Sequence, residues 1–286
     1  MRKSIFIAAT LMVASACMAQ KNTDKTAFEI NLNNAEVVGT RAPLPADKAV
    51  RLVQVIKRED IEASSANSVN DLLKLAAGVD VRQRGGFGIQ TDIGVNGGTE
   101  DQLTVLLNGI NISNPHTGHL TVDLPVSVDD IERIEVIEGG ASRIYGSQAF
   151  AGAINIVTRT EAQSNVGAHM QGGSYGTWGG NAHVAVKTNY FNNRVSGAYT
   201  QSDGANGNDD FKKSNAYSNG HYTSRLFDAT LQAGMSRMDY GANTFYGTGS
   251  DSQYEEDRRY LLAAQAEYKG RVRVPVQVYW NRSLDH

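Results

Sequence analysis

Two histidines three positions apart, His116 and His119, lie in the run Asn114-Pro115-His116-Thr117-Gly118-His119. Imidazoles at that spacing could ligate a metal or touch haem. No third ligand stands nearby in the sequence, and Pro and Gly in the same run equally suit a shaped polar loop. Further on, Asp203, Asn206, Asn208, Asp209 and Asp210 form an oxygen-rich, glycine-spaced cluster. Hard oxygen donors of this kind suit calcium, although the spacing is not that of an EF-hand and a solvated loop is the plain alternative. Arg82, Gln83 and Arg84 stand just before Gly85-Gly86 and could meet an anionic ligand at a loop tip. Nothing resembles a reaction centre: no serine has a nucleophile-elbow context, and the glycines between 85 and 98 fit neither the dinucleotide nor the P-loop pattern. The expectation is therefore binding chemistry rather than catalysis, with no required cofactor and calcium possible in the 203–213 loop.

The elements that must hold these residues fall into distinct stretches. Arg2 and Lys3 precede an apolar run at 5–13, and Cys17-Met18-Ala19 fits a small-x-small cleavage site before Gln20. That is the layout of a cleaved secretory signal peptide at 1–19; a lipidated Cys17 is a poorer reading, because Ala14-Ser15-Ala16 is not a leucine-led lipobox. Removing the leader removes the only cysteine, which excludes disulfides and thiol chemistry. Net charge −3 argues against nucleic acid as a partner. Mean hydropathy is −0.36, and no apolar run is long enough for a spanning helix. Residues 20–49 read as a polar lead holding a short β-prone patch, Glu36, Val37, Val38, Gly39 and Thr40, of the kind that adds a strand to a partner's sheet edge.

Residues 50–160 read as a compact α/β unit. Strands are expected at 52–56, 79–81, 103–107 and 153–158, with Asn108-Gly109 as a hairpin turn. Ser68 and Asp71 form a capping-box-like start for a helix that carries Val69, Leu72, Leu73 and Ala76 on one face and stops at Gly78. Ile134 and Val136 alternate with Arg133 and Glu135, which predicts one wet face.

From 161 onward period-two alternation takes over. Val184 and Val186, Val195 and Tyr199, Leu231 and Met235, Leu262 and Ala264, and Val274, Val276, Val278 and Trp280 mark one parity; Arg194, Ser196, Gln232 and Gln277 mark the other. Short connections near 189–193, 225–228 and 269–271 alternate with long ones at 203–213 and 241–258. Apolar-out, polar-in strands with asymmetric connections point to an outer-membrane barrel over a soluble sandwich. The stretch to 286 holds about seven such strands, fewer than the minimum for closure, so a fragment cut off in its barrel is expected.

The run Ile131-Glu132-Arg133-Ile134-Glu135-Val136-Ile137-Glu138-Gly139-Gly140-Ala141-Ser142-Arg143-Ile144-Tyr145-Gly146 resembles the plug signature of TonB-dependent outer-membrane receptors, with cobalamin and siderophore receptors as its nearest likeness. Gly152-Ala153-Ile154-Asn155-Ile156-Val157-Thr158 resembles the plug's closing strand, Leu106-Leu107-Asn108-Gly109-Ile110 its hairpin, and Ile93-Gly94-Val95-Asn96-Gly97-Gly98 its glycine-rich strand. The resemblance implies an α/β plug domain followed by the first seven or so antiparallel strands of a 22-stranded outer-membrane barrel. It implies uptake of a scarce nutrient, an iron-siderophore or cobalamin, with TonB, outer-membrane lipid and that small ligand as partners. Residues 36–40 take the place of the TonB box, with Gly39 a departure from a run that is often β-branched. The plug loops with Arg82, Gln83, Arg84, Asn114, His116 and His119 take the place of ligand contacts. Asp203, Asn208, Asp209 and Asp210 occupy a loop that cobalamin transporters of the family order with calcium. Glu138-Gly139-Gly140 departs from the Arg-Gly-Pro of many members, whose arginine joins a charged plug–barrel network. The competing expectations are an outer-membrane binding or adhesion protein without active transport, and a non-functional truncated receptor.

Overall fold

A computed structural model describes residues 36–37, 44–45, 53–114, 123–140, 142–243, 245, 247 and 252–285. Glu36–Val37 (β1) pairs antiparallel with Leu44–Pro45 (β2). The α/β unit then builds on a mixed sheet of Val53–Ile56 (β3), Leu103–Leu107 (β6), Ile110–Asn111 (β7), Ile131–Glu138 (β8) and Gly152–Thr158 (β9), in the order β3-β8-β9-β6-β7. Only the β6–β9 pair is parallel. A separate hairpin joins Val79–Gln83 (β4) to Thr91–Val95 (β5). Asn108 (φ 50°) and Gly109 (φ 79°) make the two-residue turn from β6 to β7, the left-handed pair that a tight hairpin with right-handed strand twist requires.

The expected strands all form. The helix opened by Ser68, Val69–Leu73 (α2), also forms, with the Ser68 hydroxyl accepting from the Asp71 amide, but it ends at Leu73 rather than reaching toward Gly78. Three-residue bonds from Leu75 to Leu72 and from Ala76 to Leu73 tighten the chain beyond it, as helix ends often do. One short helix, Arg58–Ala63 (α1), went unmarked by any apolar periodicity; it buries Ile61 alone. Ser142–Tyr145 adds a third, α3.

The wet face expected for β8 does not exist at Glu135, which is 0 % exposed. Its carboxylate accepts from Asn155 Nδ2 at 2.9 Å and from Arg133 Nε at 2.9 Å. Alternation in β8 marks two buried faces of different chemistry. Ile134, Val136, Ile154 and Ile156 join the main core with Leu72 and Leu107, whereas Ile137, Ala153 and Leu106 pack with Ala149 on the other side.

The remaining strands are Asn165–Gly172 (β10), Trp178–Lys187 (β11), Phe191–Ser202 (β12), Phe211–Thr223 (β13), Phe227–Gly241 (β14), Tyr254–Lys269 (β15) and Arg273–Asp285 (β16). They form one seven-stranded antiparallel meander in sequence order, with β10 and β16 as its edges. The expected parity holds. Val184, Val195, Leu231, Met235, Leu262 and Val278 are exposed on the outer face, while Asn192, Arg194, Gln232, Ser236 and Arg259 are buried on the inner face. β13, β14 and β15 are longer than the ten residues a bilayer needs, at 13, 15 and 16 residues. They absorb parts of the expected long loops. Among the described residues no helix is long and apolar enough to cross a membrane, which says nothing about spanning by strands.

Candidate functional site

The inner face of the meander is a polar wall, and the α/β unit lies against it. Their seam is tied at three levels. At the end carrying the long connections, the 84–90 turn of the α/β unit projects Phe87 onto Phe211, with ring centroids 5.1 Å apart. Ile89, Met238, Tyr240 and Ala242 complete that apolar cluster. Phe87 (φ 56°) and Gln90 (φ 40°) hold left-handed backbone, which costs side-chain-bearing residues energy and persists where surroundings dictate it. Asn70 supplies part of that surrounding: its Nδ2 donates to the Gly88 carbonyl at 3.0 Å and to Thr91 Oγ1 at 2.8 Å. Gln90 Nε2 reaches Glu255 Oε2 at 3.0 Å, and the Tyr240 hydroxyl bonds the same carboxylate.

At mid-height, Arg259 is buried and donates to the Ile112 carbonyl at 2.7 Å. Asp123 accepts from Ser236 Oγ at 3.4 Å and lies 3.8 Å from Lys213 Nζ. These two contacts clamp the stems on either side of 115–122. Asn108, at the hairpin tip, places Nδ2 within 3.0 Å of both Tyr217 Oη and Gln232 Oε1.

At the end carrying the short turns, Arg194 is the centre. Its guanidinium donates to Glu161 Oε1 at 2.6 Å and Asp130 Oδ1 at 3.2 Å. The other oxygens are also occupied: Ser127 holds Asp130 Oδ2 at 2.8 Å, and Asn165 holds Glu161 Oε2 at 2.9 Å. Arg159 adds a second cation 3.4 Å from Glu161. Two arginines face two carboxylates, so a buried charge cluster stays neutral and hydrogen-bonded, the condition under which burial of charge is tolerated. Cavities of about 70 and 120 Å³ run between these ties, the first lined by Asn70, Lys213 and Asn215 together with Phe87, Leu124 and Val126, the second by Asn67, His169 and Thr200 among others.

The sequence-derived candidates divide. Arg82 is exposed and bonds Asp80 at 2.8 Å, whose carboxylate pushes the guanidinium pKa up. Gln83 accepts from Lys74 at 2.6 Å, and Arg84 reaches Gln90 and Asp92 at 3.1 and 3.2 Å. The three therefore build the hairpin and its turn, with Arg82 the most open to solvent. Asn114 is buried; His116 and His119 lie outside the described residues. Glu36 and Val37 form a strand, and Val38, Gly39 and Thr40 lie outside the described residues. Asp203, Asn208, Asp209 and Asp210 occupy the β12–β13 turn. There the Asn208 side chain donates to Gln253 at 2.7 Å, and Asp209 accepts from Asn206 at 3.4 Å. Among the described residues, no group of three or more His, Cys, Asp or Glu is placed to hold a metal. Sequence reasoning missed the roles of Asp123, Asp130, Glu161 and Arg259. Arg259 carried the one available signal, a strongly charged residue on the inward parity of a strand, as Arg194 does; Asp123, Asp130 and Glu161 lie outside strands and carried none.

Residues 45–153 match the family model described as the TonB-dependent Receptor Plug Domain. The vitamin B12 transporter BtuB of Vibrio vulnificus is 26 % identical over 271 residues, covering 91 % of this chain and 44 % of that protein. BtuB of Vibrio cholerae is 32 % identical over 127 residues, 44 % of this chain and 21 % of that protein. Among solved structures, the unliganded ferric citrate transporter FecA matches with TM-score 0.69 at 17 % identity, over 84 % of this chain and 41 % of that one. The alcaligin outer-membrane receptor FauA of Bordetella pertussis matches with TM-score 0.67 at 16 % identity, over 87 % of this chain and 42 % of that one. The chain thus spans less than half the length of the relatives it matches.

Proposed function

We infer from its place among the TonB-dependent receptors, outer-membrane proteins to which this chain belongs by its plug domain and wall strands, that it serves the uptake of a scarce nutrient. The ligand class we propose is a cobalamin or an iron-siderophore, the cargo named for its relatives, with TonB as the energising partner. One observation carries the reading. The plug fills the polar side of a wall whose opposite side is apolar, and hydrogen bonds and ion pairs tie the two together beside apolar contacts at Phe87–Phe211 and at Tyr217, Leu261 and Ala263. An apolar outer face belongs in lipid. A polar seam costs less to open than an apolar one, because water can replace each hydrogen bond as it breaks.

In this reading the ligand arrives at the end where Phe87 and the long connections meet. Residues 36–40, which include the strand Glu36–Val37, are the segment for TonB to pair with by strand addition. Traction there rearranges the plug while the wall, held by full-length hydrogen-bond ladders, stays put. The plug must then be the less stable of the two bodies, as moving elements generally are. The test is deletion of residues 36–40 in the full-length receptor. Ligand binding should persist and uptake should fall to the level of a strain lacking TonB; retained uptake would overturn the reading.

A further inference from the structure

Glu138 departs from the arginine that the family resemblance leads one to expect, and its position shows what it does in this chain. It ends β8 beside β3, the edge strand of the plug sheet. One carboxylate oxygen accepts from Gln54 Nε2, and the other accepts from Asn96 Nδ2 at 2.7 Å. Gln54 lies in β3 and is itself locked: its Oε1 accepts from the Ala77 amide at 2.9 Å and its Nε2 donates to the Ala77 carbonyl at 2.8 Å. Asn96 heads the turn after β5, and its amide donates to the Gly78 carbonyl at 2.8 Å. Gly78 has φ +73°, and a Cβ there would lie 2.5 Å from Asn96 Oδ1, so glycine is required for the approach. Four segments therefore meet at one carboxylate: β3, the 77–78 link, the 96–97 turn and the end of β8.

We propose that Gln54, Glu138 and Asn96 form a latch inside the plug that must open before β3 can leave β8, and that Glu138 is its positioning residue. The proposal rests on the traction reading above. Among the described residues β3 spans four residues, pairs with β8 alone, and is the first strand of the plug sheet after residues 36–40. Pull on the N-terminal segment reaches Val53 first and Gln54 next. Backbone pairing of a four-residue edge strand is a weak hold. The two-point grip of Gln54 on Ala77 and its bond to Glu138 convert the peeling of one strand into the breaking of a junction. The Arg194 cluster lies at the opposite end of β8 from Glu138, where it ties the 127–130 turn and the 159–161 link to the wall. Traction therefore opens the plug at the Glu138 end of β8 first and leaves the Arg194 end attached.

The test is hydrogen exchange of the folded chain in lipid vesicles, comparing wild type with Glu138→Ala, Glu138→Gln and Gln54→Ala. Glu138→Ala and Gln54→Ala should speed exchange of the 53–56 amides by about 10- to 100-fold while β6 and β9 amides stay unchanged, since hydrogen bonds to a charged group are lost locally. Glu138→Gln should fall between. Asn96 can turn its amide to meet a glutamine, but Gln54 cannot, because Ala77 fixes both of its ends. Unchanged exchange at 53–56 would overturn the latch, and so would uniform acceleration across the plug. These measurements use no TonB, so a failure of TonB-dependent uptake would sink the traction reading without altering the exchange result.

Discussion

Replacing Arg194 by alanine should loosen the plug's C-terminal attachment by an amount the structure bounds. The side chain is 4 % exposed and its partners Asp130 and Glu161 are 2 % and 8 % exposed. Removing one member of a buried ion cluster leaves the others charged and unpaired, which costs about 3 to 5 kcal/mol. Here the low end applies, because Arg159 still faces Glu161 and Ser127 still holds Asp130. About 3 kcal/mol corresponds to about a 150-fold change in a local opening equilibrium. The reporter is built in: the Arg159 amide donates to the Asp130 carbonyl at 2.8 Å, next to the lost charge. Its hydrogen exchange, measured in lipid vesicles, should accelerate by about that factor while β14 and β15 amides do not change. Combining Arg194→Met with Asp130→Asn and Glu161→Gln removes the stranded carboxylate charges, leaving only the partly exposed Arg159, and should restore part of the protection, since neutralising a buried ion cluster costs less than breaking it. Acceleration below about fivefold in Arg194→Ala, or no recovery in the triple variant, would refute the assignment of this cluster as the plug's tether.

Gly88→Ala should displace the 84–90 turn, because Gly88 has φ +85° and a Cβ would lie 2.6 Å from Asn70 Nδ2; a loss of about 1–3 kcal/mol in the local opening of that turn is expected from exchange at Ile89 and Thr91. Burial raises the Asp71 carboxyl, but hydrogen bonds from Lys74, Ser68 and the Asn67 amide outweigh it and hold its pKa below the usual carboxylate range. The α2 cap is therefore at full strength above the unfolded carboxylate pKa of about 3.9 and is lost as pH falls through the lowered folded value. Amide protection in α2 should fall selectively on acidification, and Asp71→Asn should abolish that pH dependence. Leu262→Arg, on the lipid-facing middle of β15 opposite Ala233, should cost about 2–4 kcal/mol for folding into bilayers. The inward neighbour Ala263 is 1 % exposed, so Ala263→Arg should instead disturb the seam with the plug.

Local chemistry made much of this protein legible in advance. Period-two alternation identified five of the seven wall strands and their lipid-facing parity, because a strand's side chains are sorted to two faces by backbone geometry alone. Asn108-Gly109 and Ser68-Asp71 gave their turn and cap for similar reasons: each depends on neighbours within a few residues. Tertiary structure decided the rest. Glu135 read as solvent-facing, yet the two-sided burial of the plug sheet makes it a core residue paired with Asn155 and Arg133. Arg194 read as a polar-parity residue, and only folding shows that its partners lie 64 and 33 positions away. Glu138 was visible as a departure, but its role required Gln54 and Asn96 to arrive from 84 and 42 positions away. A sequence states which side of a strand is polar. It does not state what that side meets, because the energy of a buried charge depends on partners that only the packed chain brings within hydrogen-bonding distance.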